Sequence, residues 1–261
     1  RSYSVTGVQT CALPISNFRW VDGYKYCCVK IIGKLVIYQN NEIGVKIMTD
    51  NIFDEIPKGA NIASYLPLMA QKYPYKKAVI FTHGRDHQNR VSYTHYTFAQ
   101  LEKESNRLAH GIMATGLKPG ERTIVLVPPS LEFVVLAFAL MKTGIVPVMI
   151  DPGMGINRMV SCIAEVEPVG FFGCPKAHIA RVLFPKYFRN VRVNVTVGKR
   201  YAWGGTTLDE IVKDKEDSFK MFEPEEGKPS AIFFTTGSTG APKGVVDRKS
   251  TRLNSSHRIR S

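Results

Sequence analysis

Two apolar runs, Thr123 to Val127, which is continuously β-branched and aliphatic, and Ile145 to Ile150, constrain this chain more than anything else in it. Strands that are apolar along their whole length, rather than at alternate positions, fit a parallel sheet buried on both faces. Between them lies the chain's longest apolar run, Phe133 to Met141, which reads as a buried helix with Ser130 as its N-cap and Gly144 closing it. The same alternation extends to either side. Upstream, Ile62, Leu66, Met69, Ala70 and Tyr73 share a helical face that ends at Pro74, and Ala78–Thr82 and Arg90–Thr94 read as short strands around a polar turn. Thr97 and Gln100 form a capping box for a helix carrying Phe98, Leu101, Leu108, Ala109, Ile112 and Met113 at helical spacing, with Gly116 at its end. Downstream, Asp151-Pro152-Gly153 turns into a helix from Ile156 to Glu165, followed by strands at Val169–Phe172 and Val191–Val197. The expected class is α/β: a doubly wound, mostly parallel sheet flanked by helices.

In such sheets ligands bind beyond the carboxyl ends of strands. The apolar residues Ala231 to Phe234 read as one more buried strand, and they run directly into Thr235–Gly244, TTGSTGAPKG. Gly237, Gly240 and Gly244 permit backbone angles closed to other residues, so successive N–H groups can turn inward around an anion. Thr235, Thr236, Ser238 and Thr239 add hydroxyl donors and Lys243 adds a positive charge. The pattern is not a Walker loop: counting from Gly237, the sixth residue is Pro242, and Lys243 is followed by Gly244. Nor is it the dinucleotide G-x-G-x-x-G, because Gly237 and Gly240 stand three apart.

The net charge of +13 invites a nucleic-acid reading, but the charge sits at the ends. Residues 1–47 carry +4 and residues 247–261 another +4, leaving +5 for residues 48–246, so no nucleic-acid partner is expected of the middle. No apolar stretch is long enough to span a membrane. Cys162 and Cys174 read as buried, reduced core residues, with no C-x-x-C pair or zinc spacing, which fits a cytoplasmic compartment. Lys176 and His178, near a helix start, read as structural or surface groups; His83 and His87 sit in a polar loop without a partner set; Phe171-Phe172 reads as core. The charged stretch Lys213–Lys228 reads as a solvated linker.

The loop at Thr235–Gly244 closely resembles the phosphate-binding loop of the adenylate-forming superfamily, which includes acyl-CoA synthetases, peptide-synthetase adenylation domains and luciferases. The stretch Tyr96–Pro152 resembles the scaffold of the same family, so residues 48–246 look like the N-terminal part of an AMP-binding (adenylation) domain. DPGMG at Asp151–Gly155, IAEVEP at Ile163–Pro168, CPKAH at Cys174–His178 and WGGTTL at Trp203–Leu208 resemble a bacterial fatty-acid ligase branch that includes the olefin-pathway β-lactone synthetases. The resemblance implies ATP-dependent activation of a small-molecule carboxylic acid, a fatty or β-hydroxy fatty acid, to an acyl-adenylate, followed by thioester or β-lactone formation. It implies ATP with Mg2+ and, for some members, coenzyme A. It assigns Lys243 as the catalytic charge partner, and Thr235, Thr236, Gly237, Ser238, Thr239, Gly240, Lys243 and Gly244 as the nucleotide-phosphate contacts. Two other readings stand beside it: an amino-acid adenylation domain of a peptide synthetase, and a non-catalytic nucleotide- or RNA-binding module with basic ends.

The ends differ in character from the middle. The first methionine is Met48, and residues 1–16 and 247–261 read as adapter-derived sequence, with 17–47 as a non-native leader, an untranslated upstream region read as protein. The family's later motifs have no counterpart in the chain, so residues 1–261 are expected to be an inactive fragment.

Overall fold

The structure, a computed structural model, describes residues 61–85, 87–223, 228–235 and 243–248. A short helix α1 (Tyr65–Lys72) opens it, preceded by a single turn at Ile62–Ser64. Leu66 and Met69 are buried as the helical face requires, but Ile62 belongs to the preceding turn and is 37% exposed. Strands β1 (Lys77–Arg85) and β2 (Val91–Thr97) pair antiparallel in a ribbon separate from the main sheet. Helix α2 (Phe98–Ala114) follows at once, and its capping box is complete: Thr97 Oγ1 accepts from Gln100 N and Gln100 Oε1 accepts from Thr97 N.

The main sheet takes its first strand from β3 (Arg122–Leu126), followed by α3 (Leu131–Thr143), β4 (Val146–Ile150), α4 (Ile156–Val166), β5 (Gly170–Gly173) and α5 (Pro175–Leu183). Then come β6 (Val193–Thr196), the two-residue β7 (Thr206–Thr207), α6 (Leu208–Val212), β8 (Pro229–Thr235) and β9 (Lys243–Arg248). Their order across the sheet is β7-β6-β5-β3-β4-β8-β9. All neighbours are parallel except β8 and β9, whose antiparallel pairing adds an edge that short apolar Val245-Val246 did not signal. β9 runs through Asp247 and Arg248, the first residues of the expected foreign tail.

The chain steps from β3 to β4 through α3, then returns across β3 to β5 through α4 and on to β6 through α5, and α4 and α5 pack on the same face of the sheet. The core reflects this. Ile124, Val148, Phe171 and Ile232 point one way and pack with Met159 and Ile163 of α4. Ser130 caps α3 by accepting from Phe133 N, and Gly144 ends it in the left-handed region at φ 72°. Burying an aliphatic side chain contributes about 1.5–3 kcal/mol, so the core supplies the main stabilisation.

Two expectations need correction. The stretch after Lys213 is not a free linker. Asp217 pairs with Lys103 at 3.1 Å, Asn106 Nδ2 donates to Asp217 O, and Phe222 N donates to Lys142 O at 2.8 Å. Its charges face water, but its backbone straps α2 to α3 because Asn106 and the end of α3 offer partners that lie far away in sequence. Cys162 is buried as expected, whereas Cys174 is only half-buried, since as the N-cap of α5 it sits at the sheet's rim. Among the described residues no helix is long and apolar enough to cross a membrane.

Candidate functional site

The sheet positions the glycine-rich loop by backbone pairing alone. β8 lies against β4 on one side, with Ile150 opposite Phe234, and against β9 on the other. The β8–β9 register places Phe234 opposite Gly244 and Thr235 opposite Lys243. Residues 236–242 lie outside the described residues, but their two ends are thus held side by side at the carboxyl end of β8. The strand is fixed there because Ala231, Ile232 and Phe234 are buried.

This end is also a topological divergence. The connection from β4 runs back across the sheet to β5, while that from β8 leads outward to β9. Ligands in α/β sheets usually sit beyond the carboxyl ends of adjacent strands whose connections leave in opposite directions. The β4 side of this end is a tight turn. Asp151 N donates to Phe234 O (3.4 Å), Asp151 Oδ1 accepts from Gly153 N (2.8 Å), and Asp151 O accepts from Met154 N. Asp151 therefore ties the end of β4 to the end of β8 while its carboxylate is spent on its own turn.

Of the site residues read from the sequence, Thr235, Lys243 and Gly244 are placed together by the ladder. Thr236, Gly237, Ser238, Thr239 and Gly240 lie outside the described residues.

The other sequence candidates go elsewhere. Lys176 is exposed on α5. His178 is fully buried, its ring stacked on Trp203 at 5.3 Å and meeting Phe171 edge-on at 4.9 Å. Its Nε2 is 3.2 Å from both Val195 O and Thr196 Oγ1, and its Nδ1 accepts from Arg181 Nε. Burial is the main cause that brings its pKa down to about 4, against the hydrogen bond to Val195 and with help from Arg181. It is a neutral structural histidine that clamps the Trp203 loop to α5. Phe171 and Phe172 are core. His87 is exposed, and His257 lies outside the described residues.

One buried polar cluster escaped the sequence reading. Lys142 Nζ, fully buried between α2 and α3, donates to Glu102 Oε2 (2.7 Å), Ser105 Oγ (2.8 Å) and Asn106 Oδ1 (2.6 Å). Burial lowers its pKa, and the Glu102 carboxylate opposes that. The signal was available: Glu102, Ser105 and Asn106 interrupt an apolar helix face at spacings of three and four.

The model of the AMP-binding enzyme family matches residues 68–256, most of the chain. The chain belongs to the AMP-binding enzyme family. This AMP-binding chain is 39% identical over 191 residues to an olefin β-lactone synthetase of Stenotrophomonas maltophilia, covering 72% of the chain and 34% of the relative. It is 25% identical over 193 residues to a medium-chain fatty-acid–CoA ligase of Escherichia coli, covering 72% and 32%. Among solved structures, an anthranilate CoA ligase in complex with anthranoyl-AMP superposes with a TM-score of 0.63 at 16% identity, covering 76% of the chain and 36% of that protein. A long-chain-fatty-acid–CoA ligase from Archaeoglobus fulgidus gives 0.62 at 21%, covering 74% and 37%. These likenesses establish the adenylate-forming fold, and the chain spans about a third of the length of the relatives it matches.

Proposed function

We propose that this chain supplies the phosphate-binding wall of an ATP-dependent acid ligase, one that activates a fatty or β-hydroxy fatty acid as its acyl-adenylate. The observation that carries the reading is the β8–β9 ladder, which sets Thr235 beside Lys243 at the carboxyl end of β8, next to the end of β4. In this reaction a substrate carboxylate oxygen attacks the α-phosphorus of ATP, the new O–P bond forms, and the α–β phosphoanhydride bond breaks to release pyrophosphate. Negative charge grows on the leaving β- and γ-phosphates. Preorganised N–H groups, hydroxyls and a cation aimed at that charge lower the barrier. The backbone N–H groups of Gly237 and Gly240, the hydroxyls of Thr235, Thr236, Ser238 and Thr239, and the Lys243 ammonium take those roles. Magnesium, when bound with the nucleotide, neutralises phosphate oxygens.

The similarity to a β-lactone synthetase supports a long β-hydroxy acid whose own hydroxyl displaces AMP; the similarity to fatty-acid–CoA ligases supports transfer to coenzyme A. The 261-residue chain holds one wall of the site and does not complete the reaction by itself. ATP–pyrophosphate exchange tests both points. A protein carrying this segment at the family's full length exchanges label when given long-chain acids and not when given amino acids, and the 261-residue chain exchanges none. Exchange driven by amino acids, or robust exchange by the short chain, overturns the corresponding statement.

A further inference from the structure

The charge of the domain is unevenly distributed. Residues 168–208 contain seven Lys or Arg and no Asp or Glu, although residues 48–246 as a whole carry only +5. Three of the seven are engaged: Arg192 with Glu121, Arg200 with Glu210, and Arg181 with the Trp203 carbonyl. Lys176, Lys186, Arg189 and Lys199 are exposed and make no ion pair among the described residues.

Lys176 lies on α5, a helix with an exposed apolar side, and Lys186 and Arg189 lie on the turn that follows it. The inner side of α5 packs its small residues Ala177 and Ala180 against the core. The outer side carries Ile179, Val182 and Leu183, which are 51%, 55% and 68% exposed. Lys176, Ile179 and Leu183 follow at spacings of three and four, so they share one side of the helix. The stacking of Trp203 on His178 holds the loop with Lys199 and exposed Tyr201 against the same helix.

We infer that α5 and the Trp203 loop form a docking surface for an anionic phospholipid membrane. Basic residues near such a surface are attracted by its negative potential, and aliphatic side chains between them enter the headgroup–acyl boundary. Charge alone suits a nucleic acid equally, but three exposed aliphatic side chains offer phosphates and bases nothing, whereas lipid buries them. α5 follows β5, two strands away from β4 in the sheet order, so the surface does not depend on which acid the enzyme activates.

The test is sedimentation of the 261-residue chain with vesicles of phosphatidylcholine, alone or mixed with phosphatidylglycerol. The basic ends are common to every variant, so differences between variants report α5. The chain pellets with mixed vesicles and not with neutral ones. The K176Q/K186Q variant lowers partitioning about 25-fold, roughly fivefold per lysine removed from an anionic surface. The V182N/L183N variant, altered only at exposed positions, lowers it at least about tenfold. A wild-type chain that stays in the supernatant overturns the inference, and so does unchanged partitioning of either variant. Loss in K176Q/K186Q with full retention in V182N/L183N overturns it too, because that pattern is charge attraction of the kind RNA would share.

Discussion

Acidification should loosen this domain through His178 well before its carboxylates titrate. The imidazole is buried between Trp203 and Phe171, donates through Nε2 to Val195 O, and offers Nδ1 to Arg181. Burial disfavours the charged ring, and a proton on Nδ1 would also face the Arg181 guanidinium, so against the hydrogen bond to Val195 O its pKa falls to about 4 from an ordinary value of 6.5. A folded-state value below the unfolded one means that the unfolded chain binds the proton first. Stability is therefore complete above the unfolded pKa and is lost as pH falls from about 6.5 towards 4. At about 1.4 kcal/mol per unit of pKa difference, moving from pH 7 to pH 5 removes about 2 kcal/mol. The assay is urea unfolding at both pH values for the wild type and for His178→Phe, which keeps an aromatic ring against Trp203 and cannot take a proton. The variant is less stable at pH 7, because Val195 O loses its partner, but the gap closes by about 2 kcal/mol at pH 5. Parallel pH profiles for the two proteins would refute the reasoning.

Further outcomes follow from the packing. Lys142→Met leaves Glu102, Ser105 and Asn106 without their shared donor and costs about 3–5 kcal/mol in urea unfolding, the usual penalty for breaking a buried pair. Adding Glu102→Gln to that variant costs less than it does in the wild type, because the carboxylate has already lost its ion pair and keeps only the hydrogen bond from Asn106 Nδ2. Gly144→Ala loses at least about 1 kcal/mol, since Gly144 adopts φ 72° and a Cβ there would strike the Phe222 ring. The same variant releases the 217–223 strap, which faster amide exchange at Phe222 would register.

Much of the fold could be read from local signals. The Thr97–Gln100 box and the Ser130 and Gly144 ends of α3 are interactions within a few residues, and the pure apolar runs at β3 and β4 declare a two-sided burial that only a covered parallel sheet provides. What the sequence hid depends on distant partners. Lys142 looks like an ordinary helix-end lysine until α2 folds back over it. The stretch after Lys213 looks solvated because its anchoring uses mostly backbone atoms, Asp217 O and Phe222 N. β9 carries only Val245-Val246 as an apolar signal between charged residues, and only its pairing with β8 makes it a strand. For the site the division is similar. The chemistry of TTGSTGAPKG is legible residue by residue, whereas the register that brings Thr235 opposite Lys243 belongs to the sheet.

The central claim is that Thr235–Gly244 is a phosphate cradle of an acid-activating ligase, with Lys243 as its charge partner. Acid-dependent ATP–pyrophosphate exchange, measured for Lys243→Ala in a protein carrying this segment at the family's full length, tests it most directly. Losing a preorganised donor to transition-state charge costs about 100-fold or more in rate, and that loss, with the fold intact by urea unfolding, is the predicted result. Exchange at the wild-type rate would contradict the account.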